Sequence, residues 1–171
     1  DGEIIHHHSG VAGFAEYAVL PKEALVRIDK HIPFEHAALF GCGVVTGVGA
    51  VINTANAREE DSIAVVGLGG VGLSALLASM AIGSKKTIAI DLSNEKLNLA
   101  LELGADHILN PNDADFLERI RDLTSGGANI AIETAGSGRA LKTAYDITRR
   151  GGTTVAAGVP GPKVGITLPH L

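Results

Sequence analysis

Ser62-Ile63-Ala64-Val65-Val66-Gly67-Leu68-Gly69-Gly70-Val71-Gly72 decides how the rest of this chain is read. The apolar run Ile63-Ala64-Val65-Val66 has the composition of a strand covered on both faces. It passes directly into G-x-G-x-x-G, and helix-forming residues follow over 70–82. The glycine pattern is weak by itself. Between a strand and a helix it acquires a mechanism. Gly67 permits the tight turn, Gly69 lets the backbone approach a pyrophosphate, and Gly72 lets the helix lie close to the sheet. The free N–H groups and the dipole of the helix's first turn then favour phosphate. The plain alternative is a tight strand-to-helix turn that binds nothing.

Asp91 weighs against that alternative. It closes the next apolar run, 87–91, and lies 19 residues beyond Gly72. A carboxylate at that place accepts the hydroxyls of an adenosine ribose. It repels a 2′-phosphate, which favours NAD over NADP. The simpler reading of Asp91 is an acid near a helix N-terminus. Lys96, taken alone, reads as a solvated helix lysine.

Downstream of Asp61 the chain alternates strand and helix. Strands are expected at Ser62–Val66, 87–91, His107–Leu109, 129–133 and 153–157. Helices are expected at 70–82, 94–103, 113–124 and 139–149, with Gly104, Gly126 and Gly151 as their stops. In the third of these helices Leu117, Ile120 and Leu123 share one face. Such alternation implies right-handed βαβ units and a parallel sheet. The fold class is therefore α/β, a doubly wound Rossmann sheet that lacks its last strand. Residues 1–43 show no such alternation. They read as a short, mostly β tail of a second domain, with strands at 14–20 and 24–28 around Pro21-Lys22 and a short helix over 35–40. The domain boundary falls at 43/44.

The chain has 171 residues and 17.5 kDa, is 46% hydrophobic and 19% charged, and carries a formal charge of −5. It can build a core, and without a basic block it is a poor match for nucleic acid. Two uncharged stretches, 37–57 and 63–83, have the length of a membrane span. The first is interrupted by Gly41, Gly43, Gly47, Gly49, Asn53 and Asn56, and the second by the glycine loop, so neither is expected to cross a bilayer. The acidic start shows no signal peptide, and one cysteine suits a reducing compartment. Asp1 stands where a methionine would begin a chain. Together with the missing sixth strand, it suggests a piece of a protein roughly twice as long.

Cys42, between Gly41 and Gly43, reads by itself as a buried structural thiol. A wider comparison changes that. The segments GVAGFAEY (10–17), ALFGCGVVTGVG (38–49), VVGLGGVG (65–72), IETAG (132–136) and AAGVP (156–160), in this order, resemble zinc-dependent alcohol dehydrogenases of the medium-chain dehydrogenase/reductase superfamily. The likeness covers essentially the whole chain. It implies that residues 1–43 end a GroES-like catalytic domain and that 44–171 form most of an NAD-binding domain. It makes Cys42 a ligand of a catalytic zinc and places Thr46 at the nicotinamide end. Gly67, Leu68, Gly69, Gly70, Val71 and Gly72 would hold the pyrophosphate and nicotinamide ribose. Asp91 and Lys96 would hold the adenosine ribose, Thr134 and Ala135 its flank. The backbone of Ala157, Gly158 and Val159 would bind the carboxamide. The histidines His6, His7 and His8 match a run in the family rather than an affinity tag.

The implied activity is hydride transfer between an alcohol or aldehyde and NAD, with zinc as Lewis acid. The other zinc ligands and the proton relay of the family have no counterpart here, so the chain alone is expected to be inactive. No residue beyond the zinc ligand is assigned a catalytic role. The implied partners are a small alcohol or aldehyde and further copies of the chain in a homodimer or homotetramer, in the cytoplasm, without nucleic acid or membrane. Two other readings remain open at this level: a zinc-free, quinone-reductase-like member of the superfamily, and a non-catalytic NAD-binding module. Cys42 and Asp91 argue against the first, and Gly-Cys-Gly against the second.

Overall fold

The computed structural model of the chain describes residues 13–161. Among these, five strands form one parallel sheet: β1 (Ser62–Val66), β2 (Lys86–Ile90), β3 (His107–Leu109), β4 (Ala128–Glu133) and β5 (Thr148–Ala156). Their spatial order is β3-β2-β1-β4-β5, the first five positions of a doubly wound dinucleotide fold. Every residue of β1 is buried. Successive side chains point to opposite faces, so Ile63 and Val65 enter one core while Ala64 and Val66 enter the other.

Helices cover both faces. On the Ile63 side lie α3 (Gly70–Ala81) and α4 (Asn94–Glu102), through Ala75, Leu76, Leu97 and Ala100. On the Ala64 side lie α5 (Phe116–Thr124) and α6 (Gly138–Ile147), through Phe116, Ile120, Ala140, Ala144 and Ile147. The strand tips of β1 and β2 thus meet the start of α3 with a core on either side. Beside it, between β1 and β4, the strand order reverses, and that is the topological switch point, where such sheets bind ligands.

Several sequence expectations shift. The helix expected over 113–124 begins at Phe116. Asn110 accepts the N–H of Asn112 at 3.0 Å and builds a turn ahead of it. Phe116 takes the inward position with Ile120, and Leu117, expected on the same face as Ile120, is 41% exposed. The helix expected to reach Arg149 stops at Ile147, because Thr148 already pairs with Ala128 across an irregularity in the ladder, and Gly151, expected as its stop, lies inside β5. The strands expected over 14–20 and 24–28 do not form. Lys22–Ala24 is a 3₁₀ turn, and Phe14, Tyr17 and Val19 are exposed. A strand needs a neighbour to accept its backbone bonds, and among the described residues these stretches have none.

The chain divides into two compact units between Ala37 and Ala38. The helical run Phe34–Thr54 begins with α1 (Phe34–Leu39) and contains α2 (Val45–Gly49). Wide π-type turns occupy Phe40–Val44 and Ala50–Thr54. At 21 residues it is long and apolar enough, by length and composition, to cross a membrane. The expectation that its glycines would interrupt it is therefore corrected: the chain stays helical through all four. Within the second unit this run is largely exposed and packs on the core through a few residues. Gly47, Ala50 and Val51 are buried, and a Cβ on Gly47 would stand 2.7 Å from Cβ of Ser74 in α3. His6, His7, His8, the start of the GVAGFAEY segment and the residues beyond 161 lie outside the described residues.

Candidate functional site: a dinucleotide cleft at the strand tips

Gly67 leaves β1 at φ +96°, with its N–H held by Ile90 O at 2.8 Å. That region is open to glycine and strained for other residues. Gly72 is buried where α3 crosses the loop. A Cβ there would collide with the Gly67 carbonyl and stand 2.7 Å from Thr134 Oγ1. Gly69 and Gly70 behave differently. Both are exposed, and a Cβ on either meets nothing within 4 Å. Gly69 is the N-cap of α3 and makes no side-chain cap bond. The first-turn N–H groups of α3 therefore face a bare approach, which suits a pyrophosphate.

One peptide unit is clamped at both ends. The carbonyl of Gly67 accepts the hydroxyl of Thr134 at 2.7 Å, and the N–H of Leu68 donates to Asp91 Oδ2 at 2.7 Å. Leu68 contributes to the site through this backbone alone, since its side chain is 1% exposed in the core. Thr134→Val keeps the shape and removes the donor. Losing one hydrogen bond to a part-buried carbonyl costs about 1 kcal/mol, which lowers Tm by roughly 3 °C in a chain of this size. Thr134→Ser should restore the midpoint. An unchanged thermal melt for T134V would remove the clamp from the account.

Asp91 sits one residue past β2. Its Oδ1 accepts the N–H of Ser93 at 2.9 Å, and Lys96 Nζ stands 3.9 Å from Oδ2. Lys96 is half exposed, so the pair adds little stability. Two ionised oxygens offer about four acceptor positions, which leaves room for two ribose hydroxyls. A cleft opens beside this carboxylate, lined among others by Gly67, Asp91, Leu92, Pro111, Ala135 and Arg139. Arg139 Nη2 donates to Asn112 Oδ1 at 2.6 Å. Pro111 and Arg139 were not expected from sequence. Pro111 comes from the turn after β3 and Arg139 from the first turn of α6, and only the fold joins them.

A second, more open groove brings Thr46 beside Val155, Ala156 and Ala157. Thr46 comes from α2 and Ala157 follows β5, so the groove lies at the other end of the same row of strand tips. Ala157 and Gly158 donate their N–H groups to the Glu133 carbonyl at 2.8 and 3.0 Å. Val159 is exposed. The arrangement therefore joins Gly67, Asp91 and Ala135 in one cleft and Thr46 with Ala157 in another, with the glycine loop between strands β2 and β4.

Cys42 lines neither space. It lies in the π-type turn Phe40–Val44 and is exposed, so the reading as a buried thiol is corrected. Among the described residues no group of three His, Cys, Asp or Glu side chains could hold a metal ion. A catalytic zinc takes three protein ligands, so the described residues do not themselves form a zinc centre.

Residues 70–171 match the family of zinc-binding dehydrogenases. Over 164 residues the chain is 37% identical to S-(hydroxymethyl)glutathione dehydrogenase of Synechocystis sp., covering 94% of this chain and 44% of that protein. It is 35% identical to the enzyme of the same name from Saccharomyces cerevisiae, covering 92% of this chain and 42% of that one. Among solved structures, benzyl alcohol dehydrogenase from Acinetobacter calcoaceticus superposes with a TM-score of 0.85 at 35% identity, over 93% of this chain and 44% of that chain. The chain thus spans less than half the length of the curated relatives it matches.

Proposed function

The chain belongs to the zinc-binding dehydrogenase family, and we propose from that premise that it is the NAD-binding part of an alcohol dehydrogenase. The observation that carries this reading is the pairing of an unobstructed glycine loop with Asp91. Gly69 and Gly70 leave the helix start bare, and Asp91 keeps acceptor capacity after binding two N–H groups. A cofactor laid across the strand tips would place its adenosine in the cleft of Asp91 and Ala135. Its phosphates would meet the loop Gly67–Gly72, with Val71 in its first helical turn. Its far ribose and ring would reach Thr46 and the Ala157–Val159 backbone. NAD supplies the hydride acceptor, and the protein's task is to bind and orient it.

Cys42 is read as one zinc ligand of the whole protein, the remaining donors being supplied outside the described residues. The substrate class proposed for the whole protein is a small alcohol or its aldehyde, as the names of its relatives suggest. Residues 1–43 are read as the end of the catalytic domain and 44–171 as the cofactor domain. A cytoplasmic homodimer or homotetramer completes the proposal.

Titrating the chain with NADH and NADPH, followed by nicotinamide fluorescence, tests it directly. NADH should bind at least about tenfold tighter, equivalent to ~1.4 kcal/mol against a 2′-phosphate facing Asp91. Equal affinities would remove the ribose assignment. Absence of binding to either would overturn the reading.

A further inference from the structure

Glu133 ends an apolar strand and, among the described residues, is the charged side chain that the core buries, at 2% exposure. A buried carboxylate is costly unless it is hydrogen-bonded. Here Oε1 accepts the N–H of Gly136 at 2.6 Å. The other oxygen faces the segment after β5, since a Cβ on Gly158 would stand 2.7 Å from Oε2. The two segments also touch directly: a Cβ on Gly136, at φ +68°, would stand 2.7 Å from Val159 O. The Glu133 carboxylate is thus wedged between the turn 134–136 and the strap 157–159. Its own backbone carbonyl takes two N–H groups from that strap.

The order of strands says which end of a dinucleotide this strap serves. Asp91 follows β2, the glycine loop follows β1, and the strap follows β5, beyond β4. An extended ligand with its ribose on Asp91 and its phosphates on the loop must bring its second half over β4 and β5. We propose that Glu133 is a positioning residue that fixes the 157–159 strap against the turn after β4, and so holds the nicotinamide end of the cofactor site without contributing to the adenosine end. The inference rests on the NAD reading above. It assigns control over one half of the ligand to a side chain on the strand next to the glycine loop, Glu133 pairing with Val66 of β1.

The test compares NADH with ADP-ribose, which carries the adenosine, both phosphates and the second ribose but no nicotinamide. Both are titrated against the wild-type chain, Glu133→Gln and Gly158→Ala, with thermal melts to establish that each variant is folded. E133Q alters the carboxylate with little change in shape. G158A pushes the strap away from both the Gly136 backbone and the same carboxylate, and carries the test should E133Q not fold. NADH affinity is expected to fall about tenfold, while ADP-ribose affinity stays within about twofold. The fluorescence change of bound NADH should shrink in parallel. Equal weakening of both ligands, or no change in either, overturns the inference while leaving the NAD reading intact. So does a wild-type chain that binds ADP-ribose yet gives NADH no fluorescence change. A wild-type chain that binds neither ligand overturns the NAD reading, and the inference with it.

Discussion

Replacing Gly72 with alanine should abolish cofactor binding and destabilise the chain more than most single substitutions. The added Cβ overlaps the Gly67 carbonyl oxygen and stands 2.7 Å from Thr134 Oγ1. Neither neighbour can give way cheaply. The carbonyl is backbone, clamped by the Thr134 hydroxyl, and its peptide unit is tied to Asp91 through Leu68 N–H. Relief requires α3 to move off the sheet, which exposes part of the core formed by Ala75 and Leu76. Overpacking of this kind costs about 3 kcal/mol, a Tm lower by roughly 10 °C for a chain of this length. Gly69→Ala is the contrast. Gly69 has φ −82° and ψ −170°, which alanine adopts, and its Cβ meets nothing. G69A should melt within about 1 °C of the wild type or slightly above it. It should nonetheless bind NADH at least about tenfold more weakly, because the methyl group occupies the approach of the phosphates. Calorimetry and NADH titration on the two variants separate a packing glycine from a ligand glycine. Equal melting temperatures for the two variants would show that the loop tolerates the overlap, and the packing argument would be lost.

The same distinction explains what the sequence reveals and what it does not. β1 and β3 fall where the apolar runs place them, and the other sheet elements from Lys86 onward shift by a few residues at their ends. These elements are legible because strand, turn and helix are specified locally, by apolar runs and by glycines that stop helices. The loop and Asp91 are legible for the same reason, since their roles follow from the ends of neighbouring elements. The leading segment is not. Residues 14–28 have strand-like composition, but pairing decides a strand, and pairing is a property of the partner. The run Phe34–Thr54 misleads in the opposite direction. Its glycines suggest interruption, whereas Gly47 is the means by which the helix approaches α3. Glu133 escaped attention although a signal was present: a carboxylate directly after Ala128-Asn129-Ile130-Ala131-Ile132, where a buried strand wants none. What it touches comes from residues 136 and 158, so its meaning depends on the fold. Arg139 and Pro111 are hidden for the same reason, being neighbours only across the cleft.

Asp91→Ala should bring the largest change in cofactor choice. The carboxylate holds Leu68 N–H at 2.7 Å and Ser93 N–H at 2.9 Å, and in the bound state it would also accept two ribose hydroxyls. Hydrogen bonds to a charged acceptor contribute about 1.5–3 kcal/mol each. Losing the ribose pair, and loosening the loop whose N–H groups lose their partner, should weaken NADH by about 100-fold, equivalent to ~2.7 kcal/mol. NADPH should lose far less, since removal of the carboxylate also removes its repulsion of a 2′-phosphate. Lys96, 3.9 Å from Oδ2 in the wild type, is then free to meet that phosphate. The NADH to NADPH affinity ratio should therefore fall by more than about tenfold. Asp91→Asn makes the argument sharper. It keeps one oxygen acceptor but turns an NH₂ group toward Leu68 N–H or Ser93 N–H, so it should recover only part of the NADH affinity. Fluorescence titration of the three proteins with both nucleotides measures all of this. A D91A chain that keeps its preference for NADH would mean that the ribose is recognised elsewhere, and the cleft beside Asp91 would lose its assignment to adenosine.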